Sequence, residues 1–423
     1  MFKIFFLTIS FLSLYSKLQS CDIEDFGAVS NDRSYIASIQ NGIALKNCFQ
    51  SANSSSDRTV LVKNDYSVIP DGVIYDLVDV TLQLDGVIRV WDADHTKWPN
   101  DTNNKALALL ALTNTQGLVI KGNGVIHGNG YSWWWSVIIN GHDNRPNLMD
   151  IKTSKDTLVE GITVMNAPQY HINFMDTLNL TIQHIKILVN ITDLNVNESA
   201  PIFPLNTDGI DVRGKNVLIR NITVENFDDA VAVKPTHKNQ AVYSDCTENI
   251  IIEDCYVKYG VGMSMGSVPP NENLACIRNV TIRNVKFDTP LKAIYIKPNP
   301  GQNGMGLISN IVYENIEIIE PLWWAIYIGT QQQKQPYTNG TGCSFFFPLP
   351  GTECPSDPLV TVEDITLRNV SIYGGLLSPG IMRCHEKNPC KNLIFDGVNV
   401  YNRSLFPIEN GYLCENFSGH AKN

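Results

Sequence analysis

One short pattern returns eight times along the chain and sharply limits the folds open to it. It reads "DTLVEGITVMN" from Asp156, "NLTIQHIKILVN" from Asn179, "NVLIRNITVEN" from Asn216 and "NIIIEDCYVKY" from Asn249. It continues as "NVTIRNVKFDT" from Asn279, "NIVYENIEIIE" from Asn310, "DITLRNVSIYG" from Asp364 and "NLIFDGVNVYN" from Asn392. Successive starts lie 23, 37, 33, 30, 31, 54 and 28 residues apart. Each unit opens on Asn or Asp and carries two short Ile/Val-rich alternations parted by a polar break, as half-buried strands meeting at a bend would. No unit has a helical period, and none is apolar enough to close a core alone. Units that must stack to bury their apolar faces predict a solenoid, and the β-branched content makes it an all-β, parallel β-helix. The uneven spacing then marks loops inserted between strands. A β-propeller would instead need about four strands per blade in repeats of roughly 40 or more residues, with blade signatures that this sequence lacks.

With 423 residues, 43% of them hydrophobic and 17% charged, the chain can bury a large core, and no low-complexity linker divides it. One domain over 21–423 is therefore expected, behind a secretory signal peptide at 1–20. Lys3, the apolar run Ile4 to Leu14 and the small Ser20 have that layout, and the run is too short to span a bilayer. The alternative in "LQSC" is a lipid-anchored Cys21. Ten cysteines and eleven Asn-x-Ser/Thr sequons favour plain secretion. The sequons stand at Asn53, Asn100, Asn179, Asn190, Asn197, Asn221, Asn279, Asn339, Asn369, Asn402 and Asn416. Cys343 with Cys354 and Cys384 with Cys390 are plausible short-range pairs, though spacing does not fix connectivity. No Cys/His cluster has zinc-site spacing. Loss of Lys3 and Lys17 with the signal takes the formal charge from -10 to -12, a surface that disfavours nucleic acid.

Aligning the coils by their opening Asn superposes "DDAVAVK" (Asp228 to Lys234), "VGMSMGS" (Val261 to Ser267) and "LKAIYIK" (Leu291 to Lys297). "TDGIDVR" (Thr207 to Arg213) fits the same frame by pattern. Ile210, Val231 and Ile294 then share one inward column and Val212, Val233 and Ile296 another, while Arg213, Lys234 and Lys297 point outward. Asp208 and Asp229 become stacked neighbours, about 4.8 Å apart in the backbone. Asp208, Asp228 and Asp229, with Asp211 nearby, thus gather on one outer surface beside a column of cations. Like charges this close raise at least one pKa, so a protonated acid and an ionised base can coexist. An inverting glycoside hydrolase needs such a set: one carboxyl protonates the leaving oxygen and another activates water. Turn capping or calcium binding is the simpler reading of two adjacent aspartates taken alone. Their stacking with "NTDGID" and the basic column favours catalysis.

At this point the sequence resembles the family 28 glycoside hydrolases, the polygalacturonases and their relatives that cut pectin. The resemblance runs through "DFGAVSND", "GVIHGNGYSWW", "NAPQYHI", "NTDGID", "DDAVAVK", "GVGMSMGS" and "YIK". It implies a right-handed single-domain parallel β-helix acting on a pectic polysaccharide, without metal or cofactor and with no membrane partner; solenoids of this type are commonly monomers. It further implies Asp228 as general acid, Asp208 and Asp229 as holders of the attacking water, Lys297 on a substrate carboxylate and Asn206 ordering the site. Two departures stand out. Val261 replaces the histidine of the family's Gly-His-Gly, and Tyr295 replaces the arginine of its Arg-x-Lys. Valine neither donates a hydrogen bond nor carries charge, and tyrosine cannot clamp a carboxylate with two prongs.

Three readings follow: a hydrolase of plain, substituted or rhamnose-containing galacturonan, a catalytically weak relative that binds glycans, and a calcium-dependent lyase on the same scaffold. Paired carboxylates rank the lyase last. His171 is expected either to touch substrate or to sit in solvent. His237 and Lys238 read as a solvated loop, and Trp133, Trp134 and Trp135 as packing at the shoulder of the solenoid. Trp323 and Trp324 lie nearer the cleft. The stretch 329–357 reads as a long loop stapled by Cys343 and Cys354, able to close one end of a groove; endo or exo action stays open.

Overall fold

The computed structural model describes residues 20–141, 143–192, 200–333, 342–402, 406 and 411–422. Residues 1–19 of the expected signal segment, the sequons at Asn197 and Asn339, and 334–341 of the long loop lie outside the described residues. Strands of successive coils pair in parallel along the length of the molecule. One buried column of the register reads Val60, Leu82, Ile120, Val159, Ile182, Ile219, Ile252, Ile282, Tyr313 and Leu367. The core is the interior of the coil: each rung adds one aliphatic or aromatic side chain to a stack that no single coil could bury. Parallel strands joined by crossovers wind right-handed, which makes this a right-handed parallel β-helix.

The opening Asn or Asp of each unit has a structural cause. Asp156, Asn179, Asn216, Asn249, Asn279, Asn310, Asp364 and Asn392 all have φ between 53° and 58°, the left-handed region that Asn and Asp tolerate best among residues with a side chain. Their side chains form a ladder. Asn216 Nδ2 donates to Asn179 Oδ1 at 3.0 Å, Asn249 to Asn216 at 3.0 Å and Asn279 to Asn249 at 2.6 Å. An amide both donates and accepts, so each rung satisfies the next.

The solenoid begins earlier than the visible repeat. Coils built on Thr59–Val62, Thr81–Leu84 and Val119–Lys121 precede Asp156. Helix α1 (Tyr35–Ser54) packs on the first coil, its N-terminus capped by Ser34 Oγ, which accepts from Ala37 N at 3.3 Å. It covers strand edges and apolar rungs that would otherwise face water. A disulfide from Cys21 to Cys48 ties it to the first strand and engages the thiol that a lipid anchor would require. Cys246–Cys276, Cys343–Cys354 and Cys384–Cys390 are also bonded. The shoulder tryptophans lie on helix α2 (Gly130–Asn140), where Trp133 stacks on His95 and Trp134 Nε1 donates to Ala167 O at 3.1 Å. Among the described residues no helix is long and apolar enough to cross a membrane.

Candidate active site

The expected strand frame is the observed register. Ile210, Val231, Met263, Ile294 and Ile326 form one inward column, and Val212, Val233, Met265, Ile296 and Ile328 the next. Two residues before each member of the first column stand Asp208, Asp229, Val261, Lys292 and Trp324. Close backbone contact fixes this bend: a Cβ at Gly209 would lie 2.4 Å from Ala230 O, and one at Gly262 2.3 Å from Ala293 O.

Asp208, Asp228 and Asp229 each bring a carboxylate oxygen within 4.8 Å of the other two. Asp208 and Asp229 are buried, whereas Asp228 is partly open to solvent. The Asp228 carboxylate accepts from Asp229 N at 2.8 Å and from Asn206 N at 3.1 Å. Asn206 therefore orders the site through its backbone, while its side-chain oxygen accepts from Arg145 at 3.3 Å. Lys234 Nζ lies 3.3 Å from Asp211, 3.7 Å from Asp208 and 3.9 Å from Asp229. Lys297 Nζ donates to Asp229 Oδ2 at 2.6 Å. Four carboxylates thus face two ammonium groups, which leaves two negative charges unless a proton is held. The trio's oxygens are close enough to ligate a cation, but the two ammonium groups already lie against them.

The electrostatics follow from that imbalance. Burial, and then the charges of Asp228 and Asp211, hold Asp208 well above the ordinary aspartate value. Asp228 is also raised, first by burial and then by Asp229, against the pull of Lys297 and of its two N–H donors. The proton belongs to the set rather than to one residue. Burial opposes the charge on Lys234, yet Asp211 and Asp208 outweigh it and raise its pKa. Oδ1 of Asp208 and Oδ1 of Asp229 are buried and accept no hydrogen bond within the described residues.

Several expected side chains sit elsewhere than the sequence suggested. His171 is neither in solvent nor open to a ligand. It is buried, its Nε2 accepts from Ala167 N at 3.3 Å, and its Nδ1 therefore donates to Asp208 O at 2.9 Å. Burial pushes its pKa down to about 4, so it supports the Asp208 backbone as a neutral ring. Lys297 leaves from the outer side of the sheet as expected but does not reach solvent, because its pairing with Asp229 leaves the residue 4% exposed. Arg213, half-buried, makes no ion pair among the described residues. Tyr295 is buried too: its hydroxyl donates to Gln333 Oε1 at 3.1 Å, and its ring lies 4.4 Å from Lys297 Nζ and 3.8 Å from Lys292 Nζ. Trp323 and Trp324 are buried in the same cluster, and Trp323 Nε1 donates to Phe345 O at 3.1 Å, which seats the long loop on the coil beyond the site. His237 Nδ1 pairs with Gln240 in a surface turn, and Lys238 is exposed.

Two charged or polar neighbours were missed. Lys292, 1% exposed, donates to Gln333 Oε1 at 2.5 Å and lies 4.9 Å from the Trp323 ring centroid; burial and then Lys297 push its pKa well down. Its place two residues before Ile294, in the acid column, was a signal the sequence did contain. Tyr170 lies under Lys234 Nζ at 5.9 Å, its hydroxyl pKa raised first by Asp208 and then by burial.

Residues 62–421 match Glycosyl hydrolases family 28. A polygalacturonase of Cryptomeria japonica is 24% identical over 97% of this chain and 73% of its own length. A polygalacturonase of Juniperus ashei is 28% identical over 75% of this chain but only 56% of its own length. Among solved structures, the endo-xylogalacturonan hydrolase of Aspergillus tubingensis superposes with a TM-score of 0.70 at 19% identity, over 95% of this chain and all of the other, and shares the fold. The chain belongs to family 28 of the glycosyl hydrolases.

Proposed function

We propose that this protein hydrolyses glycosidic bonds of a pectic polysaccharide, with Asp228 as the acid that protonates the leaving oxygen and Asp208 and Asp229 as the pair that holds and deprotonates water. The observation that carries this reading is the trio itself: three carboxylates on adjacent coils, more negative charge than the two lysines neutralise, and one member open to the outside. Asp228 is that open member, and its raised pKa lets it keep a proton to higher pH than an ordinary aspartate would. Oδ1 of Asp208 and of Asp229 are acceptors suited to a shared water. The closest oxygens lie nearer than the ~6.5–9.5 Å of most inverting pairs and closer to the ~5–5.5 Å of retaining ones. Inversion is still favoured, because two of the three acids can position water and neither need bond to the sugar. Substrate breadth comes from the relatives, named as polygalacturonases. The acidic surface, the N-terminal layout and the disulfides support action outside the cell; a monomer is proposed only because solenoids of this type are commonly monomers.

Val261 and Tyr295 favour a second reading, a glycan-binding protein with weak turnover. Purified protein incubated with polygalacturonate, xylogalacturonan and rhamnogalacturonan separates the two. New reducing ends without unsaturated products support hydrolysis; retention of polymer without new ends supports binding; ultraviolet-absorbing ends contradict both and indicate a lyase.

A further inference from the structure

Beside the acids runs a row of rings that the hydrolytic scheme does not use. Phe203, Phe227 and Tyr259 stand on three successive coils. Phe203 and Phe227 meet edge to face with centroids 5.5 Å apart, and Phe227 and Tyr259 stack at 5.5 Å with 13° between their planes. Phe227 is the residue before Asp228, and Phe203 precedes by three the Asn206 whose N–H binds the Asp228 carboxylate. The row is therefore continuous with the acid. Among the described residues it reaches the surface at one end: Phe203 is 50% exposed and Leu205 beside it is exposed as well, while Phe227 and Tyr259 are half-buried. Lys258, 4.9 Å from the Tyr259 ring centroid, is the one cation recorded over these rings among the described residues.

The charge on the other side of the acids points the same way. Lys234 and Lys297, which could greet a uronate carboxylate, are held by Asp208, Asp211 and Asp229. Tyr295 stands where a second prong would be, and Lys292 is turned into its aromatic cluster. An entering carboxylate meets net negative charge from the acids and an aromatic row that offers it neither a cation nor a hydrogen-bond donor along its Phe203 and Phe227 rings. A sugar whose carboxyl is esterified, or which never had one, meets neither penalty and presents its C–H face to the row.

We propose that Phe203, Phe227 and Tyr259 form a stacking wall for a substrate unit without a free carboxylate, next to the bond that is cut. This selects masked or neutral units over plain galacturonate and rests on the hydrolase reading above. The test measures kcat/KM for new reducing ends on polygalacturonate, on highly methyl-esterified galacturonan and on xylogalacturonan. The wild-type protein is expected to prefer one or both of the latter, and which one tells ester from neutral sugar. Phe203→Ala lowers that preference roughly tenfold, the worth of one aromatic contact, and Phe203→Trp restores it. Wild-type preference for polygalacturonate, or an unchanged preference in Phe203→Ala, overturns the wall. Should the protein cleave none of the three, the hydrolase reading fails, and retention on the immobilised polymers decides the wall by itself. Stronger retention on the masked polymers, lost in Phe203→Ala, supports it; equal retention overturns it.

Discussion

The asparagine corner and the aspartate groove of this solenoid are built alike and behave in opposite ways. Both place like polar side chains in register on adjacent rungs, over many coils at the corner and over two in the groove. At the corner, Asn179, Asn216, Asn249 and Asn279 pass hydrogen bonds from rung to rung, and nothing is left over. In the groove, Asp208 and Asp229 can only accept, so stacking them produces repulsion that Lys234, Lys297 and a retained proton relieve in part. The same stacking that stabilises one edge of the coil loads the other with reactive charge.

The largest break in that contrast is Asp228→Asn, which turns an acid into an amide like those of the corner. Turnover should fall about a thousandfold or more while the protein stays folded and melts no lower than the parent at pH 7. A parental rate would remove Asp228 from its assigned role.

Next comes Asp208→Asn, whose effect on stability has a sign that depends on pH. Asp208 is raised above its ordinary 3.8, so the folded protein keeps a proton that the unfolded chain releases. Its contribution is complete below pH 3.8 and is lost as pH rises through the folded value. The variant should therefore melt higher than the parent at pH 7, with the advantage gone near pH 4, while losing activity at both. A constant difference across pH would contradict the raised pKa. For the same reason, parental kcat/KM should decline on the alkaline side as the set gives up its proton.

A smaller change is expected from Val261→His combined with Tyr295→Arg, which returns positive charge beside Lys297. Activity on unsubstituted polygalacturonate should rise about tenfold, the scale of one charge-assisted contact. No gain would mean that other contacts exclude that polymer. The smallest effect belongs to the corner: Asn249→Gly, which tolerates the left-handed backbone while removing the ladder bonds, should cost about 1 kcal/mol in denaturant unfolding and leave turnover alone.

How much of this was legible in the sequence follows from where the chain signals its geometry. The eight opening Asn or Asp residues betrayed the coils because a left-handed corner favours those side chains, and counting from them recovered the register of the groove. Among the earlier coils one opens on Asp79, with φ 53°, and the next on Gly117, with φ 65°, and these mixed openings let Thr59–Val62 and its neighbours pass unseen. Helix α1 was missed for a different reason. Its buried face recurs at helical spacing but is made largely of Ala, Ser, Asn and Gly, which give little hydrophobic contrast. In the site, strand alternation said which side of the sheet a residue leaves from, not how deeply neighbours enclose it. Lys297 leaves outward and is drawn back by Asp229, and His171 lies under the bend that carries Asp208.

The central claim is that two stacked aspartates direct a water while the third supplies the proton. Proton NMR during the first minutes of cleavage of an α-linked galacturonan oligomer tests it most directly. Appearance of the β anomer first, with the α form growing in only by mutarotation, is the predicted result. An α anomer formed first would mean that one carboxylate bonds to the sugar, and would contradict the account.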